Sequence, residues 1–505
     1  MNLENLISDL TYIKPELIVS ATLVVIVLFD LIFSSKKKLL PYISLLGIVI
    51  TGYFVIHQFG VGVFAFKTSL KHGMVVVDNY SSYFKIVILL ASFIVVVFSV
   101  LSSEIKSSKD RQGEYYTLLF GMILGMFLMS SAADLILIYL SIELLSLSSY
   151  ILAGFVKNTI RNSEASLKYV IYGGVSSGIM LFGISLIYGL TGSTNLYDIN
   201  SLIAQSLKNT PEFPYITYLI SGLFILVGFG FKISAAPFHF WTPDVYEGAP
   251  IPITAYLSVA SKAAGFAVLI RFISITFYNS VDSSGYWKLL NIIDWKSIIV
   301  ILSILTMTLG NFAALWQDNL KRMLAYSSIA HAGYILLGLA VMSNAGLNAI
   351  MVYFIVYAFM NLGAFFVVMV IANKIGSEEI DDYKGLGRRM PYLGIIFAIF
   401  LISLVGLPPT AGFIAKVMLF IALIDANMVI VAVIALLNTV VSLYYYIRVL
   451  KNMYLVQVEE DKPVIPIKLA NGLVLFLLAA PILIFGVYFS PIIDFAKNSI
   501  TILGF

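Results

Sequence analysis

Four ionisable side chains stand inside long apolar stretches of this 505-residue chain. Glu143 lies within LILIYLSIELLSLSSYILAGF, Lys232 within GLFILVGFGFKISAAPFHFW, Lys262 within ITAYLSVASKAAGFAVLIR and Lys416 within LISLVGLPPTAGFIAKVMLF. A charged side chain at mid-membrane costs at least about 2.5–3.5 kcal/mol on insertion scales, so each needs a reason to be there. Ion pairs that lock helices together are one such reason. One glutamate cannot neutralise three lysines, however, so some of the lysines must be hydrated or readily deprotonated. A desolvated lysine poised to lose its proton is what a proton relay requires.

Other polar residues near these four carry weaker signals. Lys168 follows Glu164 at i, i+4, which suits a surface ion pair worth about 0.2–0.5 kcal/mol and equally suits a proton intake leading to Glu143. His331 sits among Ser327, Ser328 and Tyr334; it reads either as a satisfied polar residue or as a bridge between Lys262 and Lys416. His239 and Asp244 read as residues that shape the loop they occupy.

The elements that must hold these groups are membrane helices. Sixty per cent of the residues are apolar and 11% are charged, against about 25% charged in soluble globular chains. Continuous apolar runs recur from end to end without period-two alternation, so they read as helices, not barrel strands. Fourteen spans are predicted, at 16–34, 39–58, 80–101, 115–131, 134–156, 167–190, 214–240, 252–276, 297–316, 323–342, 346–373, 391–424, 427–447 and 469–490. The fold class is therefore all-α and polytopic. The first apolar run is taken as a span and not a signal peptide, because Glu4 and Asp9 precede it and no clear cleavage site follows.

Spans seven and twelve exceed what a bilayer needs and contain helix breakers. Pro237 cannot donate to the carbonyl of Ile233, which predicts open backbone beside Lys232. Pro408 and Pro409, between Gly406 and Gly412, do the same ahead of Lys416. Either break alone could be a simple proline kink. Two long broken spans, each with a lysine at the break, point to an ion site. Ala236-Pro237-Phe238 and Ala411-Gly412-Phe413 lie five spans apart, which suits two five-helix units. The predicted organisation is three spans in 1–110, five-helix units in 111–280 and 281–455, and a last span in 456–505.

Several chemistries are excluded. With no cysteine, the chain cannot hold thiolate-ligated clusters or zinc, nor form disulfides. Four scattered histidines leave little scope for haem or copper, and no Gly-rich dinucleotide fingerprint or phosphate loop occurs. The net charge of +4 is a topology signal and not a nucleic-acid one, because the basic residues sit in short loops. One side carries nineteen, from Lys36–Lys38 through Arg161, Lys168, Lys321, Arg322, Arg388 and Arg389 to Lys468. The other carries eight, including Lys67, Lys71, Arg271 and Lys288. Both termini are thus expected on the non-cytoplasmic side of the cell's inner membrane. Of the remaining four of 31 basic residues, Lys85 is near a span end and can snorkel; the others are Lys232, Lys262 and Lys416.

Three long blocks carry a family resemblance: WTPDVYEGAPIPITAYLSVASK at 241–262, EASLKYVIYGGVSSGIMLFGISLIYGLTGSTNL at 164–196, and NLKRMLAYSSIAHAGYILLG at 319–338. They resemble subunit N of the proton-pumping NADH–quinone oxidoreductase, respiratory complex I, within the antiporter-like subunit family. The likeness runs through nearly the whole chain and is densest from Glu143 to Lys416. It implies fourteen helices, two inverted five-helix repeats and discontinuous helices seven and twelve. It also implies that Glu143 pairs with Lys232, that Lys262 is central to a proton relay, that Lys416 adjoins the outer exit, and that Lys168 and His331 belong to the polar axis. Tyr357 and Asn361 stand where sister subunits typically have a lysine or histidine, which favours subunit N. The implied partners are other membrane subunits of complex I, including the sister antiporter-like subunits, together with the lipid bilayer and protons. FMN, iron–sulfur clusters and quinone are expected in partner subunits, with no cofactor in this chain. The alternatives are a cation/proton antiporter subunit, a subunit of a related energy-converting membrane complex, or a purely structural scaffold.

Overall fold

The computed structural model of the chain describes residues 3–67, 72–156, 160–209, 213–456 and 464–503. Lys71, Lys157 and Lys462, counted above among the loop cations, lie outside the described residues. Among the described residues, thirteen helices are long and apolar enough to cross a membrane. In chain order these are α1 (Lys14–Ile32), α2 (Leu40–Ile56), α3 (Asn79–Leu101), α4 (Gln112–Ser131), α5 (Leu135–Ala153), α6 (Ile160–Thr191) and α7 (Tyr215–Ile233), followed by α8 (Ile251–Thr276), α9 (Trp295–Ala314), α10 (Leu320–Ala340) and α11 (Asn344–Ile375). The twelfth predicted span is two half-helices, α12 (Pro391–Val405) and α13 (Ala411–Asp425). After it come α14 (Val429–Tyr454) and α15 (Leu469–Val487). Two small antiparallel hairpins, which the apolar pattern does not predict, close the turns before α3 and before α9.

Burial divides the helices into a centre and a rim. The apolar window of α8 is wholly enclosed, and α10 and α11 are nearly so, whereas α1, α14 and α15 turn most of their surface outward. The outward faces are rich in Leu, Ile and Val, as a surface in contact with lipid or with another apolar subunit must be. The candidate residues Lys262 and His331 thus sit on the most protected helices.

Both breaks arise just before their prolines. Helix α7 stops at Ile233 because Ser234 turns left-handed, with φ at +61°. The N–H of Ala235 then donates to Gly230 O at 2.8 Å, and Trp241 Nε1 donates to Phe231 O at 3.1 Å. The carbonyls of Gly230 and Phe231 are therefore capped, while among the described residues none donates to that of Ile233, as expected from Pro237. Helix α12 stops in the same manner at Gly406, with φ at +88°, a conformation a glycine adopts without steric cost. The bonds preceding Pro237 and Pro409 are cis. Each break is tied down by a hydroxyl: Thr306 Oγ1 accepts from Ala236 N, and Ser403 Oγ accepts from Gly412 N. A short helix, Trp241–Gly248, leads from the first break into α8.

Three cations placed near span ends or in loops by the sequence are buried clamps. Lys85 does not snorkel; it is fully enclosed and bonds Glu16 at 2.6 Å and Gln58 at 3.1 Å. Arg271, expected in a loop, is fully buried in α8 and grips both oxygens of Asp78 at 2.9 and 3.0 Å. Its guanidinium also lies over the Tyr80 ring. Lys321, likewise expected in a loop, lies in α10 against Glu378 at 3.1 Å and Ala249 O at 2.9 Å. Asp78 also caps α3 through Ser81, so one carboxylate starts a helix and holds another.

Arg271→Leu is expected to destabilise the bundle by about 3–5 kcal/mol, because it strands the Asp78 carboxylate. Adding Asp78→Asn removes that stranded charge while keeping a good N-cap, so the double variant should recover part of the loss. Thermal unfolding in detergent compares them; a double variant no more stable than the single one contradicts the account.

Candidate functional site

Lys232, Lys262 and Lys416 differ from the clamps in one respect. All three are buried, yet among the described residues none has a carboxylate oxygen within 4.0 Å. Their partners are neutral. Lys232 Nζ donates to Ser146 Oγ at 3.0 Å. Lys262 Nζ donates to Ser328 O at 2.7 Å and to Ser328 Oγ at 3.0 Å. Lys416 Nζ donates to Val405 O at 2.7 Å and lies 4.6 Å from the centre of the Tyr334 ring. Hydroxyls and carbonyls offset only part of the cost of desolvating an ammonium, which leaves these groups able to exchange protons.

The local backbone explains each placement. Lys232 is in the last turn of α7, where the helix dipole favours a cation. Lys416 reaches back from α13 to a terminal carbonyl of α12, one of the four that a helix end leaves without an internal partner. Lys262 follows a π-helical stretch, Leu257–Ser261, inside α8. Such stretches often occur at functional sites, and nothing in LSVAS announces this one. Gly265, one turn beyond Lys262, lets α7 approach closely: a Cβ there would lie only 2.8 Å from Ile233 Cγ2, with Lys232 Cγ beside it at 3.5 Å.

Glu143 is half-buried on α5 and accepts a short hydrogen bond from Ser177 Oγ. It attracts Lys232 electrostatically but makes no ion pair with it within 4.0 Å. The Lys232 hydrogen bond goes instead to Ser146, one turn along α5. The direct pairing implied by the resemblance is thus an approach across a serine.

Ser328, His331 and Tyr334 occupy one face of α10 at three-residue spacing. Ser328 serves Lys262 and Tyr334 lies beneath Lys416, so His331 stands between the two lysines and touches neither directly. Its Nδ1 bonds Tyr353 OH at 2.7 Å, and its Nε2 lies 3.4 Å from Tyr446 OH. Tyr446 in turn bonds Ser327. His331 thus bonds neighbouring hydroxyls, and among the described residues no hydrogen bond joins it to either lysine. Asn361 donates to Ser258 Oγ at 2.6 Å, while the Tyr357 ring lies 5.1 Å from that of His331.

These residues fall within one matched family. Residues 132–442, from before Glu143 to beyond Lys416, match the family described as NADH:quinone oxidoreductase/Mrp antiporter, TM. Across the whole length, the chain is 47% identical over 496 residues to NADH-quinone oxidoreductase subunit N 2 of Chloroherpeton thalassium, covering 97% of this chain and 94% of that one. The chain belongs to the NADH-quinone oxidoreductase subunit N family. A chain of respiratory complex I from Thermus thermophilus superposes with a TM-score of 0.76 at 30% identity, covering 95% of this chain and 99% of that one. The Mrp complex of a Dietzia species contains a chain of the same fold, at 20% identity and a TM-score of 0.80 over 98% of this chain and 97% of that one.

The subunit N fold places Lys168 apart from the three lysines, in an ionic cluster of its own. It bonds Glu164 at 2.6 Å, as the i, i+4 spacing suggests, and also Asp244 at 2.5 Å. Asp244 accepts from Arg322 at 2.5 Å, and Arg322 reaches Glu247 at 2.9 Å. Asp244 is thus the centre of the cluster and more than a loop-shaping residue. A cavity of about 130 Å³ opens beside it, lined by Arg161, Glu164, Asp244, Glu247 and Arg322. Among the described residues no group of three or more His, Asp or Glu side chains is arranged to hold a metal.

Burial alone would raise the proton affinity of Asp244, but hydrogen bonds from Lys168 and Arg322 outweigh it and hold the carboxyl below its ordinary value. A group depressed in the folded state stabilises above its unfolded value, about pH 4, and that contribution vanishes as pH falls through the folded value. Asp244→Asn should therefore lower the melting temperature at neutral pH, and the gap from wild type should close in acid. Melting curves from pH 3 to 8 check this; a gap that persists unchanged in acid contradicts it.

Proposed function

We propose that the chain is the redox-silent, proton-translocating membrane-arm subunit of a proton-pumping NADH–quinone oxidoreductase. The observation that carries this reading is the row of three buried lysines without a carboxylate partner, spaced along α7, α8 and the α12–α13 break. Ser328, His331 and Tyr334 lie between the second and third. Protons enter at the Lys168–Asp244 cluster, load Lys262, pass the His331 region and leave by Lys416. Glu143 and Lys232 act as the control. Bringing the carboxylate closer favours the charged form of Lys232, and a charged Lys232 beside Gly265 disfavours a second charge on Lys262.

The rest of the assignment follows from the same reading. Residues 111–280 and 281–455 act as two inverted five-helix units; the matching left-handed stops at Ser234 and Gly406 support this. The chain sits in the cell's inner membrane with both termini on the non-cytoplasmic side, supported by the excess of Lys and Arg in loops on one side. Flavin, iron–sulfur clusters and quinone belong to partner subunits. The lack of cysteine supports this for thiolate-ligated clusters.

Glu143→Gln or Lys232→Met, assayed in the assembled complex in vesicles, should cut both proton pumping and the coupled quinone reduction by about tenfold, roughly 1.4 kcal/mol of barrier. If both activities stay at the wild-type level, the control role is wrong. Lys262→Ala should abolish pumping in a complex that still assembles. Intact pumping with impaired assembly would mark a scaffold instead. Identification of the proteins that co-purify in mild detergent tests the assignment to the oxidoreductase.

A further inference from the structure

The relay proposed above leaves a gap: Lys262 and His331 do not touch. Two buried hydroxyls lie beside that gap. Tyr246, on the short helix that carries Asp244, and Tyr357, on α11, are both at least 99% enclosed, and neither hydroxyl has a hydrogen-bond partner among the described residues. Leaving a hydroxyl unpaired in the interior costs about 1–3 kcal/mol, so two together call for a reason. The short helix that carries Tyr246 and α11, which carries Tyr357, both pack against α10, the helix of Ser328. Ser328 is the residue that Lys262 bonds through both its carbonyl and its hydroxyl. The Tyr357 ring also packs against His331 at 5.1 Å. Tyr246 stands two residues from Asp244 on the same short helix, and Arg322 and Ser328 are six residues apart on α10, about 9 Å of helical rise.

We infer that Tyr246, Ser328 and Tyr357 form a hydroxyl junction that passes protons to Lys262 from the Asp244 side and onward to His331. The inference rests on the relay reading of the preceding section. At each hop a hydroxyl accepts a proton on oxygen and gives up the one it held, so one proton moves per cycle and no heavy-atom bond changes. Tyr246 is the inward arm, Ser328 the shared centre and Tyr357 the arm towards the histidine ring. The unpaired hydroxyls keep both arms free to turn, whereas the Ser328 hydroxyl donates to Ala325 O at 2.8 Å and must leave that carbonyl at each transfer.

Phenylalanine at either position keeps the ring and removes only the hydroxyl. In the assembled complex, Tyr246→Phe and Tyr357→Phe should each slow proton pumping and coupled quinone reduction by about tenfold, with normal subunit content and unchanged KM for the electron donor. The solvent deuterium isotope effect on the rate should rise in both. Ser328→Ala should behave like them, and Ser328→Thr, which restores a hydroxyl, should recover most of the rate. The junction is overturned if either tyrosine variant pumps at the wild-type rate, or if the loss of rate tracks loss of assembled complex. Lys262→Ala, run alongside, separates the two levels: an inactive Lys262→Ala with fully active tyrosine variants removes only the junction, whereas a fully active Lys262→Ala removes the relay itself.

Discussion

Taking an ammonium or guanidinium group out of water costs several kcal/mol, and the protein must return most of it through nearby charge or dipoles. This chain does so in two ways. Lys85, Arg271 and Lys321 each meet a carboxylate at 3.1 Å or less, and these pairs fasten α3, α8 and α10 to their neighbours. Lys232, Lys262 and Lys416 meet only hydroxyls, two backbone carbonyls and a ring face. The first arrangement fixes a charge in place. The second leaves the charged and neutral forms closer in free energy, a condition for transport. The arrangement of the helices follows from keeping these two sets apart while burying both.

The helix breaks serve the second set. A continuous helix bonds its carbonyls internally, so one such as that of Ser328 meets a buried cation only as a second bond, whereas a helix end leaves carbonyls without an internal partner. Ending α12 at Gly406 exposes Val405 O for Lys416, whereas at the end of α7 Ala235 and Trp241 meet the carbonyls of Gly230 and Phe231, and Lys232 turns to Ser146 on another helix. Two similar breaks thus give two different lysine environments, one facing backbone and the other facing a side chain.

Much of this was legible in the chain. The spans were visible because apolar runs of bilayer length are a strong signal, and the four central ionisable residues were visible because they interrupt such runs. The glycines and prolines located both breaks, although Ser234, which carries no obvious breaker chemistry, ends the first. What could not be read was pairing at a distance. Asp78 and Arg271 are 193 positions apart, and both stand near span ends, where loop topology is a sufficient account of a charge. Lys85 could snorkel as far as its own helix is concerned; only the packing of Glu16 and Gln58 around it rules that out. Asp244 looked like a loop residue because Lys168 and Arg322 come to it from separate helices. The π-helical stretch before Lys262 has no residue signature, since it is an adjustment of the backbone hydrogen bonding that LSVAS does not dictate.

The bond from Lys416 to Val405 has one further consequence. A side chain on one half-helix serves as the terminal cap of the other, and that cap is strongest while the amine is charged, because charge-assisted hydrogen bonds are roughly twice as strong as neutral ones. In the proposed relay, the end of α12 would lose part of what holds it each time the proton departs. Occupancy by a single proton would thereby be translated into the tautness of a backbone segment, and the seam between the two halves would gauge whether the last station is full.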